Sequence, residues 1–166
     1  MQTPVFSPES LLQALTEGPI RISRATSGLS EEQLSHHPEP GEWSIAEILA
    51  HLRVSADVRG DQRIGEMLDQ DEPAIRTVSP ARASLKAPYL DLPFADSLAA
   101  FTVQRQRLLE RLSALDLDGW QRGASLTGLG DRRRETVQSE ATMLADHEGA
   151  HLVEIERCAT LIRASS

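Results

Sequence analysis

Two of the five histidines in this 166-residue chain, His147 and His151, stand four apart in Asp146-His147-Glu148-Gly149-Ala150-His151. On a helix that spacing puts both imidazoles on one face, within reach of a common metal ion. Chance supplies roughly 0.15 such pairs in a chain of this composition, so the spacing alone is a weak motif. The string also matches His-Glu-x-x-His letter for letter, the pattern in which one helix gives two zinc ligands and a general-base glutamate. A third histidine, His51, lies beside the apolar row Ile45, Ile48, Leu49, Leu52 and Ala56. Any one of the three, taken alone, reads most simply as a satisfied core or surface histidine. Together they are harder to dismiss. If the segments that carry them face each other, His51, His147 and His151 converge as a facial three-imidazole site. Such a site leaves coordination positions open for water or substrate, the pattern of a catalytic ion. Glu148 is the candidate base.

Composition narrows the alternatives. The length suits one domain over residues 1–166, and 40% apolar residues exclude a disordered chain. A single cysteine, Cys158, rules out intrachain disulfides and multi-cysteine zinc sites, so any metal must be held mainly by histidine and carboxylate. With 17 basic against 25 acidic side chains and a formal charge of −8, a nucleic-acid partner is not expected. No run approaches the roughly 20 apolar residues of a membrane span. The N-terminal MQTPVFSPESLLQ lacks the charged and apolar regions of a secretory signal, so a cytoplasmic location is expected.

Four amphipathic segments must position the histidines. The first opens at Ser7-Pro8, a cap followed by proline at the first helical position, and Gly18-Pro19 interrupts it, predicting a kink. Ser30 to Gln33 reads as a capping box. A second starts at the capping box Ser44 to Glu47, behind Trp43, and runs to about Leu68. Residues 69 to 93 then read as a long irregular connection. The third starts between Pro93 and Asp96 and carries Leu98, Phe101, Arg105, Leu108, Leu112 and Leu115, with Arg105 the only polar member of the row. After a Gly-rich stretch from Gly123 to Gly130, the fourth spans about Glu135 to Ile162 along Val137, Ala141, Leu144, His151, Ile155, Cys158 and Ile162. Aliphatic, aromatic-poor composition favours helix, and no segment reads as a convincing strand. The expected fold class is all-α, a four-helix bundle.

Two segments resemble a known family. Trp43-Ser44-Ile45-Ala46-Glu47-Ile48-Leu49-Ala50-His51-Leu52 is similar to the WS-x-x-E-x-x-x-HL segment of the DinB/YfiT-like four-helix-bundle metalloproteins. Ala145 to Leu152 is similar to that family's second motif, a histidine pair of spacing four on the last helix, and Gly130 to Thr136 resembles the turn that opens that helix. The resemblance covers nearly the whole chain. It implies an up-down-down-up bundle, frequent homodimers, and a divalent ion (nickel, zinc or iron) on His51, His147 and His151. The family often has Asp after the first histidine of the pair, where this chain has Glu148. A zincin-type peptidase is disfavoured, because the third histidine lies about a hundred residues upstream instead of downstream.

The expected activity is therefore a metal-dependent enzyme acting on a small molecule, either a hydrolase or a transferase that uses a low-molecular-weight thiol. The alternative is a non-catalytic, dimeric metal-binding stress-response protein. Other residues carry plainer readings. His36 and His37 belong to a proline-rich loop, and Cys158 suits a small buried hydrophobe. Arg132, Arg133 and Arg134 read as a solvated loop or a docking point for an anion. Asp146 and Glu154 could orient metal-bound imidazoles or be surface charges. Arg157, two turns beyond His151, could meet an anionic substrate or be surface charge, and Trp43 reads as a packing anchor.

Overall fold

The computed structural model describes residues 6–77, 88–128, 130 and 132–166. The expected segments form helices α1 (Pro8–Thr26), α3 (Ile45–Ser55), α5 (Phe94–Ser113) and α7 (Val137–Ala164), with short helices α2 (Glu31–Leu34), α4 (Gly65–Asp69) and α6 (Leu117–Gln121) between them. A π-helical stretch, Ala56–Ile64, joins α3 to α4, so the second segment is one continuous helical rod. Side chains cap the starts of α1, α2, α3, α6 and α7, whereas α5 begins behind Pro93 with no side-chain cap. The Ser7 hydroxyl accepts from the Ser10 N–H at 3.2 Å. Reciprocal capping boxes close at Ser30/Gln33, Ser44/Glu47 and Thr136/Ser139, satisfying N–H groups that have no partner within the helix.

Side-chain partners give the helix directions. Along α1 and α7 they rise together, Gly18 beside Glu148, Arg21 bonded to Glu156, and Arg163 to the Ser27 carbonyl just past α1. The second rod runs against α7, His51 meeting His147 and Arg59 meeting Glu140. It runs with α5, since Arg53 bonds Ser97 whereas Gln104 bonds Asp57 and Asp61. These are the directions that an up-down-down-up path requires.

The absence of strands expected from the sequence is corrected by a three-stranded sheet. Its central strand β2 (Gly123–Thr127) pairs in parallel with β1 (Ala74–Arg76), Ala74 opposite Ser125, and antiparallel with β3 (Arg133–Thr136), Gly123 opposite Thr136. Strands of three to five residues are too short for an alternation to register, and Arg-Arg-Glu-Thr in β3 carries no apolar residue at all. β3 also moves the start of the last helix from the expected Glu135 to Val137, with Thr136 serving both as strand end and as cap. Part of the expected irregular connection, including Pro80, lies outside the described residues.

The interior divides into two apolar clusters. One gathers Ile22, Ile48, Leu52, Phe101, Ile155 and neighbours; the other gathers Leu15, Ile64, Leu112, Trp120, Leu126 and Leu144. A polar layer lies between them. Arg105 and Glu148, both 2% exposed, pair there through Arg105 Nη2 to Glu148 Oε2 at 2.5 Å and Nη1 to Oε1 at 2.8 Å. The Gly18-Pro19 step in α1 is built around this pair. Pro19 has no N–H to give the Leu15 carbonyl, and Arg105 Nη1 supplies that bond instead at 2.9 Å. Gly18 has no side chain, which admits the carboxylate: a Cβ there would stand 1.8 Å from Glu148 Oε1. The helix continues through Pro19, with the residue's missing bond replaced from α5. A second buried set lies alongside, with Arg59 and Arg63 of the π-helical stretch both bonded to fully buried Glu140 of α7.

Candidate metal centre

α3 and α7 run antiparallel in contact, and this places His51 opposite the His147/His151 pair. His147 Nε2 lies 2.9 Å from His51 Nε2 and 3.2 Å from His151 Nε2. Among the described residues these three form a group whose ligand atoms all lie within 4.8 Å of one another. Donors ~2.1 Å from one ion stand roughly 3.0 Å apart at right angles and roughly 3.4 Å apart at tetrahedral angles, so both spacings suit shared coordination. Hydrogen bonding does not explain them as well. An imidazole nitrogen has a single in-plane site, holding a proton or a lone pair, so His147 Nε2 cannot serve both neighbours in that way. One cation answers all three lone pairs, and a donor set of three imidazoles suits zinc, nickel or iron.

The surroundings keep His147 and His51 neutral and aim the His151 ring. Burial lowers the His147 pKa to about 4, with the nearby His151 and His51 charges adding to the effect. His51 is 7% exposed and is lowered by burial first, then by His151. Neutral imidazoles are the form that ligates metal. His151 Nδ1 lies 2.8 Å from Glu154 Oε2, which fixes the Nδ1 tautomer and leaves Nε2 for the ion. Glu154 thus takes the orienting role open to it in the sequence, whereas Asp146 is exposed and bonds no histidine among the described residues. His147 Nδ1 is buried without a hydrogen-bond partner.

Glu148, the candidate base, is turned away from the three histidines into the bundle, with both oxygens on Arg105. A His-Glu-x-x-His helix puts the glutamate about 100° around from the first histidine, and here that direction is the interior. The row Val137, Ala141, Leu144, Glu148, Ile155 already runs at alternating core spacings, and Arg105 occupies the matching polar place on α5. Two opposite charges on core rows were the available signal for this pair.

Trp43, 44% exposed, is more than a packing anchor. Its ring lies 5.0 Å from the His51 ring and 6.1 Å from that of His151, nearly parallel to the latter. Trp43, Ile48, His151, Glu154, Arg157 and Cys158 line a cleft of about 300 Å³, completed by Gly41 and Glu42. Burial raises the Cys158 thiol pKa, so it remains a protonated hydrophobe. Arg133 and Arg134, expected in a loop, lie on β3 and are already engaged, by Glu135 and Glu72 respectively. His36 and His37 are exposed, and His37 pairs with Glu47 at 2.8 Å.

Known proteins share this framework. Residues 14–155 match the model of the DinB superfamily. Over 108 residues, 63% of the chain, it is 29% identical to a Geobacillus thermodenitrificans (strain NG80-2) protein named "Putative metal-dependent hydrolase", and the match spans 60% of that protein's length. Among solved structures it resembles YfiT from Bacillus subtilis, described as "a probable metal-dependent hydrolase with an unusual four-helix bundle topology". The TM-score is 0.76 at 20% identity, covering 95% of this chain and 91% of YfiT. A mycothiol-dependent maleylpyruvate isomerase superposes with TM-score 0.70 at 17% identity, over 93% of this chain and 63% of that one. The mostly helical architecture, with its small sheet as a minor addition, is therefore that of the YfiT four-helix bundle.

Proposed function

The chain belongs to the DinB superfamily, and from that premise we propose that it is a metal-dependent enzyme for a small-molecule substrate, with a divalent ion held by His51, His147 and His151. The carrying observation is the convergence of three Nε2 atoms, at 2.9 and 3.2 Å, beside an open cleft. When bound, the ion supplies Lewis acidity, which lowers the pKa of a coordinated water or low-molecular-weight thiol.

The chain's own residues do the rest. Glu154 holds the His151 ring by its Nδ1 proton, Trp43 walls the histidines on one side, and Ile48 gives the cleft an apolar floor. Among the described residues the carboxylates around the site are engaged, Glu148 by Arg105, Glu154 by His151 and Glu42 by Arg157. An ion held by His51, His147 and His151 would supply the activation of the nucleophile. The hydrolase names of two relatives support water as nucleophile, and the mycothiol dependence of the third supports a thiol. Turnover of a generic electrophile by zinc-, nickel- or iron-loaded protein, with and without a panel of small thiols, separates them. A strict thiol requirement with the thiol recovered in the product establishes transfer, and turnover without thiol with water incorporated establishes hydrolysis. Absence of turnover under every condition, with the metal bound, contradicts an enzyme and returns the protein to a binding role.

A further inference from the structure

We propose that Arg157 is the specificity-determining residue of the cleft, and that the substrate carries a carboxylate or similar anionic end group. The inference rests on the reading of the histidine cluster as the reactive end of the same cleft. Arg157 and His151 both line this cleft of about 300 Å³. They stand six residues apart on α7, roughly 9 Å along its axis at 1.5 Å per residue. Trp43 and Ile48 line the same cleft, so it offers apolar surface to the body of a substrate whose anionic end meets Arg157.

Glu42 pre-positions the guanidinium. It accepts from Arg157 Nη2 at 2.8 Å, and among the described residues this is the guanidinium's single hydrogen bond. The rest of the planar fork keeps donors for a second, bidentate acceptor. Other basic residues near the last helix are poorer candidates, because Arg133 and Arg134 are paired on the sheet, away from the cleft. The two carboxylates in the lining are both engaged, Glu42 by Arg157 and Glu154 by His151, so Arg157 is the cleft's cationic docking point.

The test is calorimetric binding of two isosteric probes, 4-phenylbutanoate and its neutral amide, to the folded full chain with zinc and after chelation. The expected result is a preference of about 10-fold for the carboxylate, lost in Arg157→Gln and partly restored in Arg157→Lys. The preference and its dependence on Arg157 persist in the chelated protein, which separates docking on Arg157 from direct ligation to zinc. Circular dichroism checks that each variant is folded. Equal affinity for both probes, no binding of either, or an undiminished preference in Arg157→Gln overturns the inference. If the preference persists while the protein binds no zinc, the metal reading fails and the anion site stands.

Discussion

Removing the Arg105 guanidinium while leaving Glu148 in place strands a carboxylate in the middle of the bundle. Breaking a buried pair from one side costs about 3–5 kcal/mol, so Arg105→Met should lower the urea midpoint steeply. Replacing both partners by apolar residues should recover most of that loss, because no buried charge is then left unmatched. Glu148→Gln makes the sharper functional point: metal content and turnover per folded molecule should stay near those of the parent. A base in the reaction would lose activity by about 100-fold or more. The letters His-Glu-x-x-His suggested that base, and only the packing shows the carboxylate directed to Arg105 instead of the histidines. The three clustered histidines were legible as candidates, since the spacing of four and a third histidine on another amphipathic segment are sequence properties, whereas the facing of the two helices is supplied by the fold. The roles of Glu154 and Trp43 depend on rotamers and loop path, which spacing does not encode. Titration gives a further expectation. His147 is held to about 4 in the folded protein, against about 6.5 when unfolded. Between those values the unfolded chain binds more protons, so stability of the metal-free protein is full above about pH 6.5 and falls as the pH drops towards 4. Urea midpoints across that range check it, and His147→Asn should flatten the slope.

At the scale of elements, Gly18 is the informative position. Glycine to alanine inside a helix ordinarily stabilises by up to about 1 kcal/mol. Here the added methyl meets a carboxylate locked to Arg105, 1.8 Å from where Cβ would stand. Gly18→Ala should therefore destabilise, by about 1–3 kcal/mol, and thermal melts of the metal-free protein check the sign. A net gain in stability would show that Glu148 can leave its place without cost. The four long helices were readable because caps and 3,4 spacing repeat over many residues. The sheet was not, because β1, β2 and β3 are each too short for a period, and β3 is polar throughout. Gly18-Pro19 illustrates the same limit: locally it signals disruption, and a guanidinium from a helix some ninety residues away cancels it.

For the whole molecule, the bundle consists of two apolar clusters separated by a layer of buried ion pairs, with the histidines at the edge of that layer. Metal binding links α3 to α7, whose separation in sequence is large, so it should stabilise the folded state as a whole. At a hundredfold excess of metal over its Kd the gain is about 2.7 kcal/mol. For a chain of this size that is a rise in Tm of roughly 5–10 °C, expected in the parent and absent in His151→Ala. The formal charge is −8 and no described helix is long and apolar enough to cross a membrane; neither fact bears on the reaction. The central claim is that one divalent ion sits on three imidazoles. Metal analysis of protein purified without added metal, combined with X-ray absorption at the bound metal's edge, tests it most directly. One ion per chain with three imidazole nitrogens, lost on substituting His51, His147 or His151 by alanine in a folded protein, is the predicted result. Full metal content in any of those variants, or sulfur in the coordination sphere, would contradict it.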